Sequence, residues 1–187
     1  MQNKKYQIIY ADPPWSYNKK VGMGMADDHY PTMTLQKICD LPVSQLADKN
    51  CALFLWVTFP MLREGLEVIK AWGFNYKTAA FVWVKQYKIS DRFILGLGHY
   101  TRGNAELCLL ATRGSIKRQS LKVSQIIVSH LEEHSKKPDE ARNRIVELLG
   151  DVPRIELFAR RTTPGWDVWG NEVQSDIDMK EKEEEQE

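Results

Sequence analysis

The stretch YQIIYADPPW, residues 6–15, is apolar up to Ala11 and then stops at an acid, two prolines and a tryptophan. Six residues with almost no polar alternation read as a strand buried on both faces, the pattern of a largely parallel sheet. Neither Pro13 nor Pro14 has an amide hydrogen, and each fixes φ near about −65°. The Asp12 carboxylate and the Asp12 and Pro13 carbonyls are therefore displayed at the strand end with little local freedom. A carboxylate beside a carbonyl suits an amino group with two hydrogens to give. On a nucleobase such a nitrogen has its lone pair delocalised into the ring, and two acceptors favour pyramidalising it for in-line methyl transfer. Trp15 offers a face on which a flipped base can stack. The alternative from the same residues is a stiff turn whose tryptophan caps the core.

Working outward, residues 51–58, 78–85, 107–112, 124–129 and 154–159 read as further strands. Pro60 opens a helical pattern in which Leu62, Leu66 and Ile69 share a face and Gly73 caps the end. KPDEARNRIVELLG (137–150) repeats that design, with Pro138 near its start, acids in the first turn and Gly150 beyond its end. The alternation implies a three-layer α/β/α sandwich. Residues 16–33 and 85–106 are long, polar to aromatic loops that follow predicted strands, and so project from the carboxyl edge where open α/β sheets bind ligands.

Bulk composition narrows the class. The 187 residues, 43% hydrophobic, suit one domain with a substantial core. No signal-peptide pattern and no run of roughly 18 apolar residues is present, so a soluble, cytoplasmic protein without membrane attachment is expected. Cys39, Cys51 and Cys108 are scattered singly, which signals neither a zinc site nor a disulfide framework. Residues 172–187 carry eight acids and two lysines against an overall charge of +1. The expected division is a single basic folded domain, 1–171, and an acidic, disordered tail, 172–187.

YQIIYADPPWSY, YPTM (30–33), CALFLWVT, FVWVK, GHYTRGNAELCLLATRG (98–114), SKKPDEARNRIVELL and RIELFARRTTPGWDVWGNE (154–172) together resemble the MT-A family of N6-adenine methyltransferases, across nearly all of residues 6–172. The resemblance implies a Rossmann-like α/β/α fold, mostly parallel with one antiparallel strand, in permuted motif order. It implies S-adenosyl-L-methionine (AdoMet) as cofactor; the chemistry requires no metal, and none is expected. Asp12, Pro13, Pro14 and Trp15 would be catalytic. Asp12, Lys137, Arg160, Thr162, Thr163, Asn171 and Glu172 would meet the cofactor, Lys137 at its carboxylate. Trp15, Tyr30, Arg102, Asn104 and Glu106 would meet the substrate.

Departures from the family pattern fall on the ribose contacts. Thr162 and Thr163 stand where eukaryotic relatives carry histidine and asparagine, and Glu172 replaces a common glutamine. Glu106 precedes its strand, so it reaches the carboxyl edge only if that strand runs antiparallel. Lys85, Lys88, Arg92, Arg102, Arg113, Lys117, Arg118 and Lys122, interleaved with Tyr87, Phe93, His99 and Tyr100, read as a footprint for phosphates and unstacked bases. The activity implied is adenine N6-methylation of nucleic acid, DNA ahead of RNA. Alternatives are an RNA adenine enzyme, a noncatalytic nucleic-acid-binding subunit, or cytosine 4-amino methylation, in which a serine more often replaces the Asp12 acid. A homodimer or a partner subunit is expected to help select the target sequence.

Overall fold

The computed structural model describes residues 4–16, 32–133 and 135–179; Tyr30 lies outside them. In chain order the elements are β1 (Tyr6–Ala11), α1 (Leu35–Asp40), α2 (Val43–Leu46), β2 (Ala47–Val57), a 3-10 turn (Phe59–Met61), α3 (Leu62–Ala71), β3 (Asn75–Tyr87), β4 (Ser90–Phe93), β5 (Ala105–Arg113), β6 (Ile126–His130), α4 (Asp139–Leu149), β7 (Arg154–Leu157) and β8 (Asp167–Trp169). All six strands expected from the sequence are present. One sheet holds the eight strands, in the order β4-β3-β5-β2-β1-β7-β8 with β6 also paired to β3. β4 and β8, four and three residues long, are too short to show a period.

β1 lies between parallel neighbours β2 and β7. Ile9 and Ala11 join a core with Leu53, Leu55, Val57, Val68 and Ile69 on one face. Ile8 and Tyr10 join a second core with Phe54, Trp56, Ala141 and Ile145 on the other. A strand covered by α3 on one side and α4 on the other has no wet face, which is why its sequence does not alternate.

α3 packs differently from its expected face. Leu62 and Leu66 remain more than a third exposed, while Gly65, Val68 and Ile69 turn to the sheet. A Cβ on Gly65 would stand 2.5 Å from Val57 Cγ1. The helix thus approaches β2 along its glycine and rotates the leucines outward. α4 follows its design closely, with Pro138 at the N-cap, Asp139 and Glu140 in the first turn, and Gly150 ending it at φ 89°.

β5 runs antiparallel to both β2 and β3, and the short β4 is reversed against β3. The reversal carries Glu106 to the carboxyl ends of β1 and β2, and Arg113 to the opposite edge, about 23 Å away at 3.3 Å per residue. This divides the expected basic footprint. Lys85, Lys88, Arg92 and Arg102 stay on the carboxyl side, but Arg113 donates to Ser44 O at the far edge. Lys117 and Arg118 follow it there, where Gln119 N bonds Leu148 O at the end of α4; Lys122 lies in the chain that then enters β6.

Packing also continues past residue 171. Val168 N donates to Asp176 Oδ2 at 2.8 Å, and Met179, 7% exposed, joins the first core with Ile177 beside it. The acidic composition of 172–187 concealed these two apolar anchors, so the fold reaches residue 179 and the compositional boundary at 172 is not a packing boundary.

Candidate active site

A cavity of about 510 Å³ opens at the carboxyl ends of β1, β2 and β7. Asp12 to Trp15 form one wall; Trp56 to Thr58 and Glu106 form the next; Ser135 and Lys137 enter ahead of α4; and Phe158 to Arg160 with Trp169 to Glu172 close the far side.

The turn after β1 is tied down at each step. Trp15 N donates to Pro13 O at 2.9 Å, and Met33 N to Pro14 O at 2.9 Å. Trp15 Nε1 donates to Trp56 O at 3.1 Å, and Trp56 Nε1 to the Tyr10 hydroxyl at 2.7 Å. Two expectations change as a result. Trp15, only 7% exposed, is anchored in the wall with a limited face toward the cavity. Pro13 O has spent one of its two lone pairs on Trp15 and keeps one for a ligand.

Four charges alternate from the cavity wall inward, the first three of them lining it. Lys137 Nζ lies 2.7 Å from Asp12 Oδ2 and 3.3 Å from Glu106 Oε2, and Glu106 Oε1 is bonded by Lys85 Nζ. Burial pushes the Asp12 carboxyl above its ordinary 3.8, and Lys137 only partly opposes the rise. Burial acts on Glu106 in the same sense, but Lys137 and Lys85 together outweigh it and hold that carboxyl below its usual 4.5. Burial lowers Lys137, yet its two carboxylates more than reverse this and leave it raised. Two acids sharing one ammonium are thus driven apart, a pattern that marks acid–base sites.

On the far side, Phe158 and Trp169 meet edge to face at 5.4 Å. Phe158 sits at φ 61°, a conformation a bulky residue adopts only when its surroundings impose it. Ala159 N donates to Trp169 O at 2.9 Å, and a Cβ on Gly170 would fall 2.2 Å from Ala159 O. Glycine is what lets the end of β8 lie on this turn. Arg160 Nε pairs with Glu172 Oε1 at 2.9 Å at the rim.

Below the cavity, Arg142 of α4 grips Glu156 of β7 with two bonds, Nε to Oε2 at 2.8 Å and Nη2 to Oε1 at 2.6 Å. Both residues are 7% exposed, and the guanidinium lies over the Tyr10 ring at 5.2 Å. The pair fastens the start of α4, and with it Lys137, to the sheet.

Of the residues expected at the site, Asp12, Pro13, Pro14, Trp15, Glu106, Lys137, Arg160, Asn171 and Glu172 line the cavity. Thr162 and Thr163 do not. Thr163 O accepts from Trp166 N in a turn that leads the chain away, leaving Thr162 exposed. Arg102 lies exposed in the loop before β5, and Asn104 is engaged through its carbonyl by Lys85 N. Trp56 and Phe158 lie in apolar runs and so read as core, and their position near the carboxyl ends of strands is the available signal; Trp169 ends a strand too short to be read from the sequence. Among the described residues no group of three or more His, Cys, Asp or Glu is placed to hold a metal ion, and no helix is long and apolar enough to cross a membrane.

The model of the MT-A70 family matches residues 6–172. The chain belongs to the MT-A70 family. Its relatives include the type II methyltransferase M.MunI of Mycoplasma sp, 34% identical over 92% of this chain and 80% of that protein. The human N(6)-adenosine-methyltransferase catalytic subunit METTL3 is 30% identical over 90% of this chain and 28% of its own length. A similar protein of Medicago truncatula, named as a putative N(6)-adenosine-methyltransferase, is 31% identical over 90% of this chain and 26% of its own length. The chain therefore spans most of the Mycoplasma relative and about a quarter of the eukaryotic ones. Membership makes this a methyltransferase-family protein, and its mixed, mostly parallel α/β sheet is consistent with the Rossmann-like fold of such enzymes.

Proposed function

We propose that this MT-A70 protein uses AdoMet to methylate the 6-amino group of adenine in nucleic acid, DNA ahead of RNA. The observation that carries the reading is the Asp12 carboxylate, held by a rigid turn at the end of β1 and facing a cavity that also contains an ammonium, a second carboxylate and aromatic walls.

The residues suit AdoMet. The volume falls within the roughly 300–1,000 Å³ usual for small-molecule sites. Phe158 and Trp169 supply apolar surface, and the Glu172 carboxylate can accept from ribose hydroxyls. Lys137 has three N–H groups, so one remains for an anionic group after Asp12 and Glu106. Bound AdoMet supplies an electrophilic methyl group. Asp12 and the remaining lone pair of Pro13 O accept from the two amino hydrogens, drawing the nitrogen lone pair out of conjugation. The proton that nitrogen must lose passes to Asp12, whose raised affinity for protons suits it as acceptor.

Adenine is favoured over cytosine by the aspartate at position 12 and by the adenosine specificity in the eukaryotic relatives' names. We place DNA ahead of RNA because the chain matches the Mycoplasma type II methyltransferase over most of that protein's length. Lys88, Arg92 and Arg102, beside exposed Tyr87, Phe93 and Tyr100 on the carboxyl side, supply contacts for phosphates and unstacked bases. Ile89 and Leu97, among the most exposed apolar residues here, are where a partner subunit or second copy would sit.

The test is transfer from methyl-labelled AdoMet to matched DNA and RNA oligonucleotides, single- and double-stranded, with the digested nucleosides resolved by mass. Label in 6-methyladenine of DNA is expected. Label confined to RNA would move the acceptor, label in 4-methylcytosine would remove adenine, and no transfer despite nucleic-acid binding would favour the noncatalytic subunit.

A further inference from the structure

The alternating charges extend beyond the cavity wall. Lys85 lies on β3, separated from β1 by β5 and β2, and is not among the residues lining the cavity. Its side chain is 21% exposed. Its ammonium sits over the Trp83 ring at 4.8 Å and bonds Glu106 Oε1, while Glu106 Oε2 faces Lys137. An ammonium enclosed by an indole and a carboxylate is poorly presented to a phosphate, unlike the exposed Lys88 and Arg92 nearby. Its geometry is directed inward, at Glu106.

We propose that Lys85 is a positioning residue for methyl transfer: by engaging Glu106 it leaves Lys137 committed to Asp12 and keeps Asp12 a carboxylate. The inference rests on the function proposed above.

Three charged groups act on Asp12. Lys137 approaches from the segment ahead of α4, Glu106 from β5 and Glu156 from β7. Glu156 is answered bidentately by Arg142 of α4, and Cys108 of β5 is kept a neutral thiol by burial. The balance at Asp12 therefore depends on Lys137, and on how much of Lys137 is drawn to Glu106. With Lys85 present, each Glu106 oxygen has its own cation, and Lys137 sits closer to Asp12 (2.7 Å) than to Glu106 (3.3 Å). Without Lys85, a carboxylate 15% exposed has Lys137 as its remaining cation there. Lys137 is then pulled toward Glu106, the cluster gains a net negative charge, and Asp12 takes up a proton at higher pH. Protonated Asp12 offers a hydrogen where the amino group needs an acceptor.

The first measurement is a carbon-13 NMR titration of the Asp12 carboxyl in the wild-type protein and in Lys85→Gln, both checked for folding by thermal unfolding. The Asp12 midpoint should rise by about one pH unit in the variant, because Lys137 is drawn toward Glu106 and the cluster beside Asp12 gains a negative charge. The acidic limb of kcat should move upward with it. Activity about one unit below the wild-type midpoint should then fall by up to about tenfold and recover at alkaline pH. KM for nucleic acid should not change. Lys85→Arg should restore the profile, and in a Glu106→Gln background Lys85→Gln should add nothing. An unmoved Asp12 midpoint would overturn the proposal. So would a loss that appears only as weaker, more salt-sensitive nucleic-acid binding, or one that persists in the Glu106→Gln background. Absence of methyl transfer by the wild-type protein would defeat the proposed function, while the titration still decides the electrostatic coupling.

Discussion

Two ion-paired clusters flank the start of α4, and they are built on opposite plans. Arg142 and Glu156 meet with two parallel bonds, Arg142 turns its remaining nitrogen to Asp139 of its own helix at 3.0 Å, and almost no surface of Arg142 or Glu156 is left for solvent. Asp12, Lys137, Glu106 and Lys85 share partners, and Asp12 keeps a side chain 28% exposed at a cavity. The closed pair answers each charge fully and holds α4 to β7. The shared cluster leaves an acceptor and a donor partly uncommitted beside empty volume, which is what a reacting group needs. The difference separates a fastening from a site, although both consist of buried acids and bases within one stretch of the fold.

Substitutions at the two clusters should therefore fail in different ways. Asp12→Asn should lower methyl transfer by about 10²–10⁴-fold. Its melting temperature should hold or rise, because burial opposes the charge that Asp12 carries; a large destabilisation in calorimetry would put Asp12 with the fastening. Glu156→Gln should cost about 3–5 kcal/mol in urea unfolding, since it strands a buried guanidinium. The paired change Arg142→Met with Glu156→Leu should recover most of that loss, and an undisturbed Glu156→Gln protein would erase the contrast.

Lys137→Met should weaken AdoMet binding by about 10–100-fold, the worth of a hydrogen bond to a charged group, as read by calorimetric titration. The smallest effect is expected at Glu106, whose depressed pKa makes its contribution to stability present above about 4.5 and lost as pH falls through the folded value. Glu106→Gln should accordingly flatten stability against pH in that acidic range while leaving the Arg142 pair's contribution in place.

How much of this was legible depends on what each residue's signal was. β1 and its turn could be read directly, because burial on both faces leaves an unbroken apolar run and two prolines leave little choice of backbone. Glu106 could be placed only through strand direction, which no local pattern encodes: a β5 parallel to β2 would have put it about 23 Å from Asp12. The same reversal took Arg113 and its neighbours to the far edge, away from the footprint suggested by their nearness in sequence. Thr162 and Thr163 follow a site strand by only a few residues, yet the turn closed by Trp166 directs them elsewhere. Arg142 and Glu156 were invisible as a pair, since a helical arginine and a strand glutamate each look solvated until α4 is laid on the sheet. Gly65 carried the reverse lesson: the smallest residue of α3 set which face was buried.

The placement of β1 has one more consequence, for time rather than geometry. Its peptide groups are bonded on both sides, to β2 and β7, and the side chains of Ile8 to Ala11 are at most 1% exposed. Amides so enclosed exchange with solvent deuterium only through the rarest, most global openings of a protein. Asp12 follows that segment immediately. In a deuterium-exchange experiment the slowest clock in the molecule should therefore stop one residue short of the carboxylate, so that Asp12 stays in place over every interval in which ligands come and go.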